Sequence, residues 1–115
     1  MVRRILSAAT LTGYLVRNRA GEDLGCIEEL MVAPSSGAIL YAILSPGGFG
    51  GKLLAVPWSA LLLDAEQRVF ILSIEGETLR NAPAFHEESW PDFADPHWTS
   101  EIHSYFGQCP KSEAA

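Results

Sequence analysis

The side chains best suited to acid–base or metal chemistry lie close together near the C-terminus. They have no HExxH motif or comparable ligand spacing. His97 and His103 are six residues apart, which places them on different faces of a helix. We therefore predict no metal site and expect solvent-exposed side chains instead. The residues considered are His86, Glu87, Glu88, Asp92, Asp95, His97 and His103.

The glycine-rich segment PGGFGGK, residues 46–52, only partly resembles a phosphate-binding loop. Pro46 stands where that motif has its first glycine, and Leu53 follows Lys52 where the motif has Ser or Thr. A strand pattern follows, so no helix N-terminus is predicted there to hold an anion. Glycine tolerates the positive φ angles of tight turns, and the segment therefore predicts a hairpin connection.

The remaining candidates for catalysis lack partners. Glu28 and Glu29 are neighbours on a predicted strand, where adjacent side chains point to opposite faces. Ser45 and Ser59 have no evident His and Asp partners, and the G-x-S-x-G motif does not occur. We predict no catalytic, metal or cofactor-binding residue, and expect that the protein is not an enzyme.

Composition and charge narrow the functional class. The 115 residues are 48% apolar, which is typical of one folded domain. The net charge of −6 arises entirely in residues 75–115, which hold two basic and eight acidic residues. An acidic surface repels phosphate backbones, so we predict no binding to nucleic acid.

The compartment is predicted from the apolar runs and the N-terminal segment. No apolar run approaches the ~20 residues of a membrane helix, and we predict no membrane insertion. Residues 2–11 are interpreted as ordinary chain rather than a signal peptide. For a cytosolic chain we expect free thiols at Cys26 and Cys109, with a disulfide between them as the alternative. These observations predict a cytoplasmic location.

Short strands with turn signals between them predict a β-sandwich or small barrel. Gly13 is expected to mark a bulge or close approach, and Pro57 the end of a strand. Gly25, Gly47 and Gly48 are also expected to be structural. The predicted strands cover residues 11–18, 24–32, 39–44, 53–58 and 69–74.

A different pattern follows the strands. Residues 84–93 mix aromatic, acidic and proline residues, which indicates a strap laid across the barrel. Asp95 and Pro96 form a good helix start, and Gly107 suits its end. Apolar residues recur between them at helical spacing. We therefore divide the chain into a barrel with its strap (1–93), a C-terminal helix packed on the barrel (94–107) and a frayed tail (108–115).

The third and fourth predicted strands are apolar on both faces. One face fills the barrel, so the other should be an apolar outer surface larger than soluble monomers usually expose. We predict that this outer face forms a two-fold homodimer, with coverage by the C-terminal helix as the alternative. The predicted interface residues are Leu40, Ala42, Leu44, Leu54, Val56 and Trp58.

The order of these segments resembles stand-alone prokaryotic PRC-barrel proteins over about residues 5–93. The segment after the barrel is similar at Leu79, Ala82-Pro83, Phe85 and Trp90-Pro91. The barrel pieces, in order, are SAATLTG (7–13), Val16, Asn18, Gly21-Glu22, Leu24-Gly25, IEELM (27–31), Gly37, AILS (42–45), GGF (47–49) and AVPWSAL (55–61).

The resemblance implies a small, strongly bent β-barrel with a short C-terminal helix, acting in protein interaction or assembly. The same fold occurs in the cytoplasmic domain of the photosynthetic reaction-centre H subunit and in a ribosome-maturation factor. We expect contacts with an unidentified protein partner. One alternative is a small-molecule or ion-binding domain that uses the barrel mouth near residues 47–52 and the acidic strap. Weaker alternatives are an accessory of RNA processing or ribosome assembly, and a hydrolase-like enzyme.

Overall fold

A computed structural model describes residues 5–46 and 52–107. It is mainly β with a short C-terminal helix, as predicted. A 3₁₀ turn (Trp58–Ala60) joins the fourth and fifth strands. The elements in chain order are α1 (Ala8–Leu11), β1 (Leu15–Arg17), β2 (Asp23–Ala33), β3 (Ala38–Ser45), β4 (Lys52–Pro57), β5 (Leu61–Asp64), β6 (Val69–Leu72), α2 (Gly76–Arg80), β7 (Phe85–His86) and α3 (Pro96–Phe106).

The seven strands in the described residues form one sheet in the order β5-β6-β1-β2-β3-β4-β7. Neighbouring strands are antiparallel except β1 and β6, which pair in parallel. Within the described residues, no pairing joins β5 to β7, so hydrogen bonds do not close the sheet. This open arrangement is consistent with the predicted barrel-type fold.

The N-terminal region differs from the prediction of one strand over residues 11–18. The Ser7 side chain accepts a hydrogen bond from the Thr10 backbone N–H and caps α1, which ends at Leu11. Gly13 then turns the chain with a φ of +93°. A Cβ there would meet no atom within 4 Å, so positive φ, rather than a close approach, favours glycine. The Gly13 N–H donates to the Ile27 carbonyl at 2.7 Å, and the Ile27 N–H donates to the Tyr14 carbonyl at 3.0 Å, so two residues oppose Ile27. The predicted bulge at Gly13 is therefore confirmed, and the predicted close approach is wrong.

A β-bulge at Glu28 shifts the register between β2 and β3. Ile27 pairs with Leu44, whereas Glu29 pairs with Ile43. Directly paired residues share a face of the sheet. Because of the bulge, apolar residues of β2 on both sides of Glu28 and Glu29 lie on the same face of the sheet as Leu44. Glu28 and Glu29 themselves are exposed.

The core has one continuous set of buried side chains. Its largest fully buried members include Phe70 and Leu72 from β6, Val16 from β1 and Ile27 from β2. On β3 and β4, residues of both faces are buried, because the sheet core takes one face and the C-terminal segments take the other. The strap contributes β7, which pairs with β4 through Phe85 and Leu53.

A buried asparagine fixes the turn between β1 and β2 against the segment after β6. The Asn18 side-chain oxygen accepts bonds from the backbone N–H groups of Ala20 and Glu22. Its amide nitrogen donates to Glu22 Oε1 at 2.9 Å and to the Ile74 carbonyl at 3.1 Å. Glu22 Oε1 also accepts from the Gly76 N–H at 3.2 Å, and this contact positions α2 beside β2.

Candidate functional site

The predicted interface on β3 and β4 is wrong for four of its six residues. Ala42 and Leu44 are 0% exposed, and Leu54 and Val56 are 1% exposed, within a single chain. Ala42 pairs with Val56, and Leu44 with both Leu54 and Ile27, so this face belongs to the core. A strand that is apolar on both faces does not reveal from sequence which face points inward. These four residues are therefore unavailable to a second subunit.

The other two predicted interface residues have different surroundings. Leu40 is 48% exposed at the end of β3 that is far from the core. Trp58 is half-buried, and its ring lies edge-on to Phe70 with centroids 5.6 Å apart. Only Leu40 of the six is an exposed apolar side chain.

The opposite face of β3 is covered by the strap and α3. The buried Tyr41 ring contacts Phe93 of the strap at 5.8 Å between centroids and Trp98 of α3 at 5.4 Å. Its hydroxyl is hydrogen-bonded to His103 Nε2 at 3.0 Å. Burial raises the pKa of the Tyr41 hydroxyl above its usual value. The chain thus supplies its own cover for this face.

Replacing Tyr41 by phenylalanine should separate the hydrogen bond from ring packing. We expect the variant to lose about 1 kcal/mol or less near neutral pH, because His103 is exposed. Since the folded-state pKa is raised, the hydroxyl's contribution is present below about pH 10 and is lost as the pH rises through the folded pKa. Urea unfolding of both proteins should show that their difference in unfolding free energy is smaller at about pH 11 than at neutral pH. A constant difference would contradict this account.

An uncharged hairpin tip extends from the core at the β2–β3 connection. We define it as residues 30–40, and it lies in a longer stretch with no charged residue between Glu29 and Lys52. Val32 and Leu40 are each 48% exposed. Leu40 is the extra residue of a second bulge, since Met31 pairs with Tyr41 while Val32 pairs with Ile39. The tip therefore exposes two apolar side chains in an acidic protein.

A cavity of about 260 Å³ lies beside the start of β4. Its floor consists of three buried leucines, Leu24, Leu54 and Leu79. Lys52 and Arg80 stand at its rim with exposed side chains, and Asp23 is the acidic residue that lines it. We call this the Lys52–Arg80 cavity. The binding mouth was predicted near residues 47–52 together with the acidic strap rather than with Arg80, and residues 47–51 lie outside the described residues.

The C-terminal histidines and carboxylates do not converge. Asp95 caps α3 by accepting a bond from the His97 N–H at 3.0 Å, and His103 is bonded to Tyr41. His86 lies on β7 and pairs with Lys52. Among the described residues, no group of three His, Cys, Asp or Glu side chains is placed to hold a metal ion.

The residues expected to be structural divide into three cases. Gly25 has a φ of +137°, and a Cβ there would lie 2.2 Å from the Ser45 carbonyl oxygen. Pro57 is the last residue of β4. Gly47 and Gly48 lie outside the described residues, as does the predicted frayed tail, 108–115.

Sequence reasoning missed Val32 and Arg80. The exposure of Val32 could have been suspected from the stretch after Glu29, because it has none of the charged residues that most protein surfaces carry. No comparable signal pointed to Arg80, because its place beside Lys52 depends on how α2 packs against the sheet. Cys26 is a half-buried free thiol, and Cys109 lies outside the described residues.

Comparison with protein families gives a match that spans most of the sheet. In the described ranges, no helix combines the length and the apolar composition required to span a bilayer. A comparison with curated proteins gave no match. The family model for the PRC-barrel domain matches residues 4–79, from before α1 into α2, and thus leaves the strap and α3 outside. Because that match covers more than half of the chain and the fold is mainly β, the chain belongs to the PRC-barrel domain family.

Proposed function

We propose that the protein is a non-enzymatic interaction module whose contact surface is the hairpin tip. The observation that supports this most directly is the exposure of Val32 and Leu40, each 48%, in a stretch without charged residues. Contiguous exposed apolar surface in a soluble protein commonly marks a contact site. The proposal includes a cytoplasmic location, which the free thiol of Cys26 suits.

We propose a second copy of this chain as the occupant of the tip. The chain carries a net charge of −6, so two copies repel each other over most orientations. The tip allows an approach without like charges in contact, because Lys52 and Glu29 are the nearest charged residues in sequence on either side. A two-fold axis through the tip would place Val32 and Leu40 of each copy against the same residues of the other.

Replacing Leu40 by glutamate should yield a folded monomer. The side chain is exposed, so the charge costs little in the folded chain, whereas two opposed carboxylates at a two-fold contact destabilise the dimer. We expect the dimer dissociation constant to rise at least about tenfold, equivalent to ~1.4 kcal/mol. Sedimentation equilibrium over a range of concentrations, with circular dichroism to verify the fold, would measure the effect.

The matched control is Leu62→Glu. Leu62 is 39% exposed but lies on β5, an edge strand that is separated from β2 by β6 and β1. This variant should dimerise like the unchanged protein. A monomeric unchanged protein at the highest soluble concentration would refute self-association through the tip. Equal weakening by both substitutions would place the contact elsewhere.

A further inference from the structure

The Lys52–Arg80 cavity has the form of a small amphipathic site rather than a packing defect. Leu24, Leu54 and Leu79 are between 1% and 5% exposed, and they form an apolar floor. Charged side chains stand only at the rim, where solvent reaches them. The volume of about 260 Å³ lies just below the ~300–1,000 Å³ of typical ligand pockets, so a ligand must be small.

Positive charges without acidic partners outnumber negative ones at the rim, which favours the binding of an anion. Asp23 lines the cavity, but its Oδ1 accepts a bond from Arg17 Nε at 2.9 Å and forms an ion pair with it. Lys52 Nζ donates to the Arg80 backbone carbonyl at 3.4 Å. Within the described residues 5–46 and 52–107, no carboxylate pairs with Lys52 or with the Arg80 guanidinium. Two cations without acidic partners therefore stand above an apolar floor, in a chain whose net charge is negative.

The positions of Arg80 and Lys52 in the fold keep the two cationic residues close together. Arg80 is the last residue of α2, and Gly76 at the start of that helix is bonded to Glu22. Lys52 is the first residue of β4, and its backbone pairs with His86 of the strap. Both ends of the rim are thus fixed by contacts that do not use the cationic groups themselves.

We propose that this cavity binds a small carboxylate with an unbranched apolar tail, a short-chain to medium-chain fatty acid. The tail would lie on the three leucines, and the carboxylate would accept hydrogen bonds from Arg80 and Lys52. Arginine suits this task because its planar guanidinium matches the two oxygens of a carboxylate. The proposal concerns small-ligand binding and does not depend on the hairpin tip.

The first test uses a chain-length series with the full-length protein. Butanoate, hexanoate and octanoate would be titrated while backbone amide shifts are followed by NMR. Each methylene that fits should tighten binding about fourfold, until the cavity is full and the gain stops. The largest shifts should occur at Leu24, Leu54 and Leu79. Hexan-1-ol, which has the tail without the charge, should bind at least about tenfold more weakly than hexanoate.

The second test removes the cations one at a time. Lys52→Gln and Arg80→Gln should each weaken hexanoate binding about fivefold to tenfold while leaving the fold intact, since both side chains are exposed. Arg68→Gln is the matched control, because Arg68 is exposed on the turn between β5 and β6 and does not line the cavity. It should bind hexanoate like the unchanged protein.

Three results would overturn the proposal. One is the lack of any saturable shift with hexanoate and octanoate at concentrations up to tens of millimolar. Another is equal binding of hexan-1-ol and hexanoate, which would show that the cations play no part. The third is an equal effect of Arg68→Gln and Arg80→Gln, which would reduce the interaction to general electrostatic attraction.

Discussion

A Gly25→Ala variant should lose at least about 3 kcal/mol of unfolding free energy, enough to unfold much of a marginally stable domain. Gly25 has a φ of +137°, which side chains rarely adopt. An added Cβ would lie 2.2 Å from the Ser45 oxygen and 2.8 Å from the Pro46 Cα. Both atoms belong to the backbone at the end of β3. The clash could therefore be relieved only if the paired residues Cys26 and Ser45 moved apart. Urea unfolding followed by circular dichroism would measure the loss.

The control for this variant is Gly37→Ala, which isolates backbone strain. Gly37 also has positive φ, +77°, but a Cβ there would meet nothing within 4 Å. Its substitution should cost about 1–2 kcal/mol, the usual penalty for a left-handed residue that is not glycine. Equal losses in the two variants would show that the contact with Ser45 and Pro46 carries no additional cost.

Removal of the chain after Asp95 should destabilise the protein by at least about 3 kcal/mol and lower its solubility. The deletion removes Ile102 and Phe106, each 1% exposed, and the half-buried Trp98. It also uncovers Tyr41, which would lose its contacts with Trp98 and His103. Thermal unfolding and dye binding to exposed apolar surface would measure both effects.

Two point variants distinguish loss of cover from simple shortening. Ile102→Asp places an unpaired charge at a buried position and should reproduce most of the destabilisation. Glu101→Gln alters the neighbouring exposed residue and should change stability by less than about 0.5 kcal/mol. An unchanged melting temperature in the truncated protein would show that α3 is not part of the folded core.

The parts of the fold that follow from local signals were predictable. The helix α3 could be placed because Asp95 and Pro96 mark its start and apolar residues recur at helical spacing. The strands β3 and β4 could be placed because continuous β-branched and aliphatic runs end in turn residues. Such signals lie within a few residues of the element that they describe.

The parts that depend on distant contacts were not predictable. Neither β3 nor β4 alternates in polarity. The sequence therefore could not show that Leu44 and Leu54 face the core of the sheet whereas Tyr41 faces the strap and α3. Residues 11–18 gave a strand pattern, but the Ser7 cap and Gly13 turn divide the segment into α1 and β1. The Lys52–Arg80 cavity depends on α2 meeting β4, which no spacing in the sequence reveals.

The parallel pairing of β1 with β6 has a consequence for how the chain folds during synthesis. Leu15 pairs with Val69, about 54 residues later, whereas β2 and β3 are joined by a short hairpin. At ~5–20 residues per second, β1 is made about 3–11 seconds before its partner. The β2–β3 hairpin can form in that interval, but Val16 cannot yet contact Phe70. Because high contact order slows folding, completion of the sheet should be the late and rate-limiting step, and the nascent chain should be a substrate for chaperones until β6 emerges.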